Sequence, residues 1–424
     1  MHGTRSFHRV GHGNIGKPDM SADVISFSFC QVSDLNLDSS AALELHLSPA
    51  QRKKRSEEAL DALARAMKLA SSNSVDAVLI PGNLFESEHI TTYTLKRVQK
   101  IFALLGDIPV FIAPGANDPH FKDSPYDKPA LIAHGLEPWS ENVFIFGSDK
   151  MHCFNLHGKG SVRINGLGIA RESRQNTPII PALDSQGKVA IDILLLPLGS
   201  NQSENPAVET AVQEALLGKG YSYAALSGLK NKSTFKSANE IYAAAAGAFI
   251  GQTENDNGPR YAIFGNLDRR LSGELETSLQ TKEFDLRRIH CVKVDISPSN
   301  CANAKDIVAR ALSKSTARTE DDIVILHLNG FYAAGSEFDF GREELNERYF
   351  HLRVYDNTRP DYLDTLSDRN LIESKFSSIV AEMKNNIAES GAPDSRERLA
   401  DLDDALYYGL EAIREGRVTI RNAD

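Results

Sequence analysis

Three segments in the first third of the chain place acids and amides where a folded sheet can use them. Ser33-Asp34-Leu35-Asn36-Leu37-Asp38, Pro81-Gly82-Asn83-Leu84-Phe85 and Pro114-Gly115-Ala116-Asn117-Asp118 each follow a short β-branched or aromatic run. Two later segments, Leu195-Leu196-Pro197 and Leu226-Ser227-Gly228-Leu229-Lys230, continue the series. Polar residues just beyond strand ends are where open α/β sheets build their sites. Carboxylate and amide oxygens are ligands for hard cations, the carboxylate the stronger of the two. Asp34, Asp38, Glu86, Asp118 and His120 are the nearest ligand candidates by sequence. Other catalytic classes lack their signatures: the chain has no GxSxG, GxxxxGK[ST] or HExxH.

The elements that must position these residues read as a strand–helix alternation. Val24 to Val32, Asp76 to Ile80 and Ile108 to Ile112 are strands, separated by helices. One helix places Leu60, Leu63, Ala64 and Met67 on a single face, the other Leu95, Val98, Phe102 and Leu105. This order implies a mainly parallel sheet covered on both sides. Further strands are expected at 144–146, 162–169, 191–196, 221–226 and 261–264, with a helix through Val208, Val212 and Leu216. From about 285 a small α+β unit follows, with strands at 291–296, 323–328 and 349–355 and a helix near 304–313. Asn357 to Pro360 reads as a linker, and two amphipathic helices, about 368–388 and 396–415, end the pattern.

At 424 residues the chain exceeds what one core usually holds. With 41% hydrophobic and 25% charged residues it has the composition of a soluble globular protein. No apolar run reaches the ~18 residues of a membrane span, and the first 20 residues lack the apolar core of a secretory signal. That stretch, with His2, His8 and His12, reads as a disordered tail, with Met20 a candidate start. Cys30, Cys153, Cys291 and Cys301 show no CxxC spacing and read as reduced thiols of a cytoplasmic protein. A net charge of −10 gives no global pull on nucleic acid, so DNA contact would need a local patch. Arg52-Lys53-Lys54-Arg55 and Arg287-Arg288 are the candidates, with solvated faces as the simpler reading.

At its motifs the chain resembles the calcineurin-like metallophosphoesterases, in particular the SbcD-type and YhaO-like DNA repair exonuclease subunits. The family pattern is DxH, GDxx, GNHD, a lone His after a strand, and GHxH. "FSFCQVSDLNLDSS", "DAVLIPGNLFES", "IPVFIAPGANDP" and "YSYAALSGLK" are similar to the corresponding segments in the same order. "GQTENDNGPRYAIF" and "FDLRRIHCVKVDIS" resemble the segments that lead into the family's capping domain. The landmarks cover about residues 24–300. The resemblance implies an α/β fold, an α+β sandwich with central mixed sheets flanked by helices. To this it adds a small capping domain and C-terminal helices. The corresponding division is a tail at 1–20, a metallophosphoesterase-like domain at 21–280, a cap at 281–356 and a helical region at 357–424.

The family's chemistry does not carry over with the landmarks. In the family two divalent ions, usually manganese, sit between the motif loops and activate a water. Here Asp34 keeps its aspartate, but Asn36 stands at a metal-binding His and Asn83 at the bridging aspartate. Ala116 replaces the ligand Asn, Asn117 the catalytic His, and Pro197 the lone His, while Gly228 and Lys230 replace the two His of GHxH. Metal binding is therefore expected from Asp34 at most, and no cofactor. Lys230 is expected either to pair with Asp34 in place of the metals or to lie exposed on a remodelled loop. The resemblance implies a catalytically impaired subunit that supports an SMC-like ABC ATPase of the SbcC or YhaN type. In that role the C-terminal helices would dock on the ATPase or else pack on the phosphoesterase domain. A homodimer and DNA are open as further partners. The alternative is an active phosphoesterase with a metal site rebuilt from the loop acids named above.

Overall fold

The computed structural model describes residues 24–156, 162–183, 191–200, 207–238, 240–297, 304–336, 338–363, 371–390 and 394–418. The expected tail with its histidines, and Cys301, lie outside them. Two six-stranded sheets face each other. The first has strands β1 (Val24–Gln31), β2 (Ala77–Ile80), β3 (Val110–Ile112), β4 (Val143–Ile145), β11 (Tyr261–Arg270) and β12 (Leu275–Glu283), in the order β12-β11-β1-β2-β3-β4. The second has β5 (His152–Asn155), β6 (Val162–Gly166), β7 (Ile191–Pro197), β8 (Tyr223–Ser227), β9 (Ser233–Ser237) and β10 (Glu240–Ala245), in the order β5-β6-β7-β8-β10-β9. β1 to β4 run parallel, as do β6, β7, β8 and β10, and the remaining strands pair antiparallel at the edges.

Alternation along β1 explains the sandwich. Phe27 and Phe29 turn inward and meet Ile164, Ile193, Leu195 and Tyr223 of the other sheet. Cys30 and Val32 turn outward, against helices α1 (Pro49–Ser72) and α2 (Thr92–Ala103). Burying such a side chain fully contributes roughly 1.5–3 kcal/mol. α1 starts at a capping box, with Ser48 accepting from the Gln51 backbone and the Gln51 side chain answering the Ser48 N–H. Its face of Leu60, Leu63, Ala66 and Met67 is buried. The second sheet is covered by α4 (Val208–Leu216) through Val212 and Leu216, after the short α3 (Lys128–Ala133) beside the first.

The expected α+β unit is a parallel three-stranded sheet of β13 (Ile289–Asp295), β14 (Ile323–Ala333) and β15 (His351–Asp361), with α5 (Ala304–Lys314) and α6 (Arg342–Arg348). Leu45 and Leu47, just before α1, pack against Ile289, Ile323 and Ile325 of this sheet. A buried ionic cluster pins the junction. Arg55 clasps Asp285 at 2.6 and 2.7 Å, and Arg287 clasps Glu58 at 2.7–3.0 Å beneath the ring of Phe350.

Two expected boundaries move. The break at 280 falls inside β12, whose polar sequence hid an edge strand. The linker Asn357–Pro360 is strand, paired from Asn329↔Asn357 to Tyr332↔Pro360. Its turn-like composition is tolerated because β15 is an edge strand, where Pro360 need not donate. The basic patches also shrink: Arg55 and Arg287 are buried in the junction cluster and are lost to any DNA surface. The terminal helices α7 (Leu371–Ser390) and α8 (Ser395–Glu415) form a hairpin held to the end of the cap sheet. Tyr362, Tyr407 and Leu410 cluster there with Ala334, and Arg359 pairs with Asp404. The reading that they pack on the phosphoesterase domain is thus replaced, because Tyr362 and Ala334 at the ends of β15 and β14 supply the apolar seat.

Candidate functional site

The loops beyond β1, β2 and β3 meet those beyond β7, β8 and β10 around a cavity of about 230 Å³. Asp34, Asn36, Asn83, Ala116, Asn117, Gly228 and Lys230 all line it, joined by Glu86, Gln252 and Asp256. Pro197 does not; it ends β7 beside Gly82, and Leu198 supplies the lining there.

The polar side chains of the site are bonded to one another. Asn83 Nδ2 donates to Asp34 Oδ1 at 2.7 Å, and Asn83 Oδ1 accepts from the Asn117 N–H at 3.0 Å. Asn117 Nδ2 donates to Asn36 Oδ1 at 2.8 Å, and Asn36 Nδ2 returns to the Asp34 carbonyl at 3.4 Å. A closed ring of one carboxylate and three amides results. The backbone permits it because Asp34, Asn36 and Asn83 have φ of 54°, 43° and 56°, a left-handed region that Asp and Asn occupy more readily than other side chains. Gly115 leaves room for Asn83: a Cβ there would stand 2.4 Å from Asn83 Oδ1.

Gly228, with φ of 88°, donates its N–H to Asp34 Oδ1 at 2.9 Å, so the backbone does what an imidazole does in the family motif. Asp34 Oδ2 is buried and has no hydrogen-bond partner among the described residues. Burial therefore pushes the Asp34 carboxyl up to about 7, against the bonds from Asn83 and Gly228 and a weaker contribution from Ser33. Lys230 corrects one expectation. Its side chain is exposed and forms no ion pair with Asp34, while its carbonyl accepts from Arg260 at 2.9 Å and from the Ala248 N–H. Asp34 is already claimed by donors closer along the loops.

Asp118 lies beneath the ring as a staple. Its carboxylate accepts from the backbone N–H groups of Asn83, Leu84, Phe85 and Gly115 and from the Tyr126 hydroxyl, at 2.5–3.2 Å. Burial raises it to about 6 even so. Asp38 is spent on the start of α2, where it accepts from Thr91 N and Thr94 Oγ1. Among the described residues no group of three or more His, Cys, Asp and Glu is placed to hold a metal. The acids proposed for a rebuilt centre are therefore scattered among structural tasks. Two adjacent dications need several anionic or imidazole ligands, and this donor set does not fit them.

Sequence reasoning missed two supports. Gln252 Nε2 holds the carbonyls of Leu35 and Asn36 at 2.9 and 3.2 Å, and Asp256 accepts from the N–H groups of Gln252 and Thr253. Both lie in the "GQTENDNGPRYAIF" landmark, which was the available signal.

Residues 27–208 match the family model for the calcineurin-like phosphoesterases. The match takes in Asp34, Asn83, Asn117 and Pro197 and stops short of Gly228 and Lys230. The calcineurin-like phosphoesterase domain is also similar to solved structures. TT1561 of Thermus thermophilus is 12% identical, with 59% of this chain and 98% of that one covered and a TM-score of 0.30. A dimetal phosphatase from Danio rerio is 11% identical, with 59% and 98% covered and a TM-score of 0.34. Chaetomium thermophilum Vps29 is 14% identical, with 61% and 98% covered and a TM-score of 0.25. No curated protein matches the chain. No helix among the described residues is long and apolar enough to cross a membrane.

Proposed function

We propose that this chain is a catalytically silent SbcD-like subunit, a calcineurin-like phosphoesterase domain kept as a scaffold for an SMC-like ATPase of the SbcC or YhaN type in DNA maintenance. The observation that carries the reading is the closed ring through Asp34, Asn83, Asn117 and Asn36. It commits the side chains at the family's metal positions to one another and leaves a single carboxylate facing the cavity centre. The imidazole that would protonate a leaving group in the family is an amide here, Asn117, and an amide has no proton to give at neutral pH.

The scaffold role is supported by the α7–α8 hairpin. Ile372, Ile379 and Met383 stand at helical spacing along α7, and are 69%, 49% and 48% exposed. Such a stripe suits another helix laid alongside. The test is manganese-dependent cleavage of single- and double-stranded DNA and of a generic phosphodiester, beside Asp34→Ala. We expect no turnover above that variant. Turnover that Asp34→Ala abolishes would overturn the proposal. Co-purification with an ABC ATPase, lost on Ile379→Asp with Met383→Asp, is the expected outcome for the partner.

A further inference from the structure

The Asp34 carboxylate is only half used. Oδ1 takes two hydrogen bonds, from Asn83 and Gly228, while Oδ2 is buried, belongs to a residue lining the same cavity and has none among the described residues. A buried carboxylate oxygen without a partner is among the more costly arrangements in a protein interior, by about 1–3 kcal/mol or more for a charged group. The cavity beside it holds roughly seven waters' worth of space, from its 230 Å³ and about 30 Å³ per water.

The character of the lining narrows what fits. Asp34, Glu86 and Asp256 face Lys230, so acids outnumber bases around the space. Asp256 is occupied by Gln252, Thr253 and, at 4.0 Å, Arg260, which leaves Asp34 and Glu86 as the acids with acceptor capacity. A metal ion needs about four to six close donors, and the Asn83 and Asn36 oxygens are spent in the ring. An ammonium or guanidinium group needs only a few acceptors, each at ordinary hydrogen-bond distance.

We infer that the cavity is a binding site for a compact organic cation, a primary ammonium or guanidinium group that donates to Asp34 Oδ2. The group is either the head of a free small amine or the end of a Lys or Arg side chain on a partner. The inference rests on the absence of a two-metal centre proposed above.

The experiment titrates the full chain by calorimetry with four probes: n-butylamine, Nα-acetyl-lysine methylamide, Nα-acetyl-arginine methylamide and the neutral n-butanol. Manganese is titrated separately. We expect one or more of the cationic probes to bind roughly ten- to a hundredfold tighter than butanol, the worth of one charge-assisted hydrogen bond. We also expect that preference to be lost in Asp34→Asn. If the variant does not fold, the cation-to-alcohol ratio on the wild-type chain decides alone. Preference for butylamine over both side-chain mimics identifies a free amine; the reverse identifies a partner's side chain. Equal affinity for cations and butanol overturns the inference and leaves the scaffold reading standing. Stoichiometric manganese binding lost in Asp34→Asn overturns both.

Discussion

Replacing Asp34 by Asn should stabilise the protein at pH 8, although it removes the one family ligand the chain retains. Asp34 is 6% exposed and its carboxyl rises from an ordinary 3.8 to about 7. A carboxyl whose pKa is higher in the folded state binds a proton more tightly there. Its contribution to stability is full below about 3.8 and is lost as the pH rises through about 7. At pH 8 the charge is held in the fold against on the order of 4 kcal/mol. The Asn oxygen keeps the bonds from Asn83 and Gly228, but its amide nitrogen enters the place of Oδ2 without a partner, which costs about 1–3 kcal/mol. The net gain expected at pH 8 is roughly 1–3 kcal/mol. Between pH 8 and pH 5 the wild-type carboxyl becomes protonated, and the advantage of Asn shrinks by roughly 2–3 kcal/mol. Urea denaturation of both proteins at the two pH values measures this directly. Asp118, raised to about 6, contributes to both proteins alike and largely drops out of the difference. A variant less stable than wild type at pH 8, or a difference that does not move with pH, would show that Asp34 Oδ2 has an ionic partner and would refute the reasoning.

Asn83→Asp, the change toward the family motif, replaces the amide donor 2.7 Å from Asp34 by a second carboxylate; we expect a loss of about 2–4 kcal/mol at pH 8, unrelieved by manganese in the same melt. Asp118→Ala strips the acceptor from four backbone N–H groups and should cost about 3–5 kcal/mol, whereas Tyr126→Phe removes one hydroxyl and should cost about 1–2 kcal/mol; thermal melts of the two variants give the ranking. Arg55→Ala leaves Asp285 buried and uncompensated at the cap junction and should cost about 3–5 kcal/mol, while Lys53→Ala on the exposed side of the same helix should change stability by less than about 0.5 kcal/mol in paired urea curves.

The sequence made the centre of the fold legible and its edges obscure. β1, β2 and β3 are short β-branched or aromatic runs set in the core, and α1 and α2 carry clear apolar stripes. β12, by contrast, reads LETSLQTKE, with only Leu275 and Leu279 reaching the core, and polar edge strands of this kind leave little periodic signal. β10 is largely alanine, a weak strand former that pairing with β8 and β9 overrides. At the site the residue types were visible but their pairing was not. Asn36, Asn83 and Asn117 are far apart in the chain, and only the left-handed turns at Asp34, Asn36 and Asn83 aim them at one another. Charge complementarity suggested Lys230 for Asp34, but a backbone N–H two residues earlier, at Gly228, reaches the carboxylate while the lysine side chain faces solvent.

The ring also bears on reversibility. Each of its members satisfies two others, so any one substitution toward the metal-binding motif is judged alone, before a second can reward it. Asn83→Asp sets two carboxylates against each other, Asn117→His breaks the link to Asn36, and Asn36→His breaks it from the other side. Gly228 adds a steric bar, because a Cβ at its φ of 88° would meet the Leu198 carbonyl at 3.0 Å. A stepwise route to a metal centre therefore descends at every first step, and only several simultaneous replacements cross the gap. The structure makes the present state of the site a one-way door.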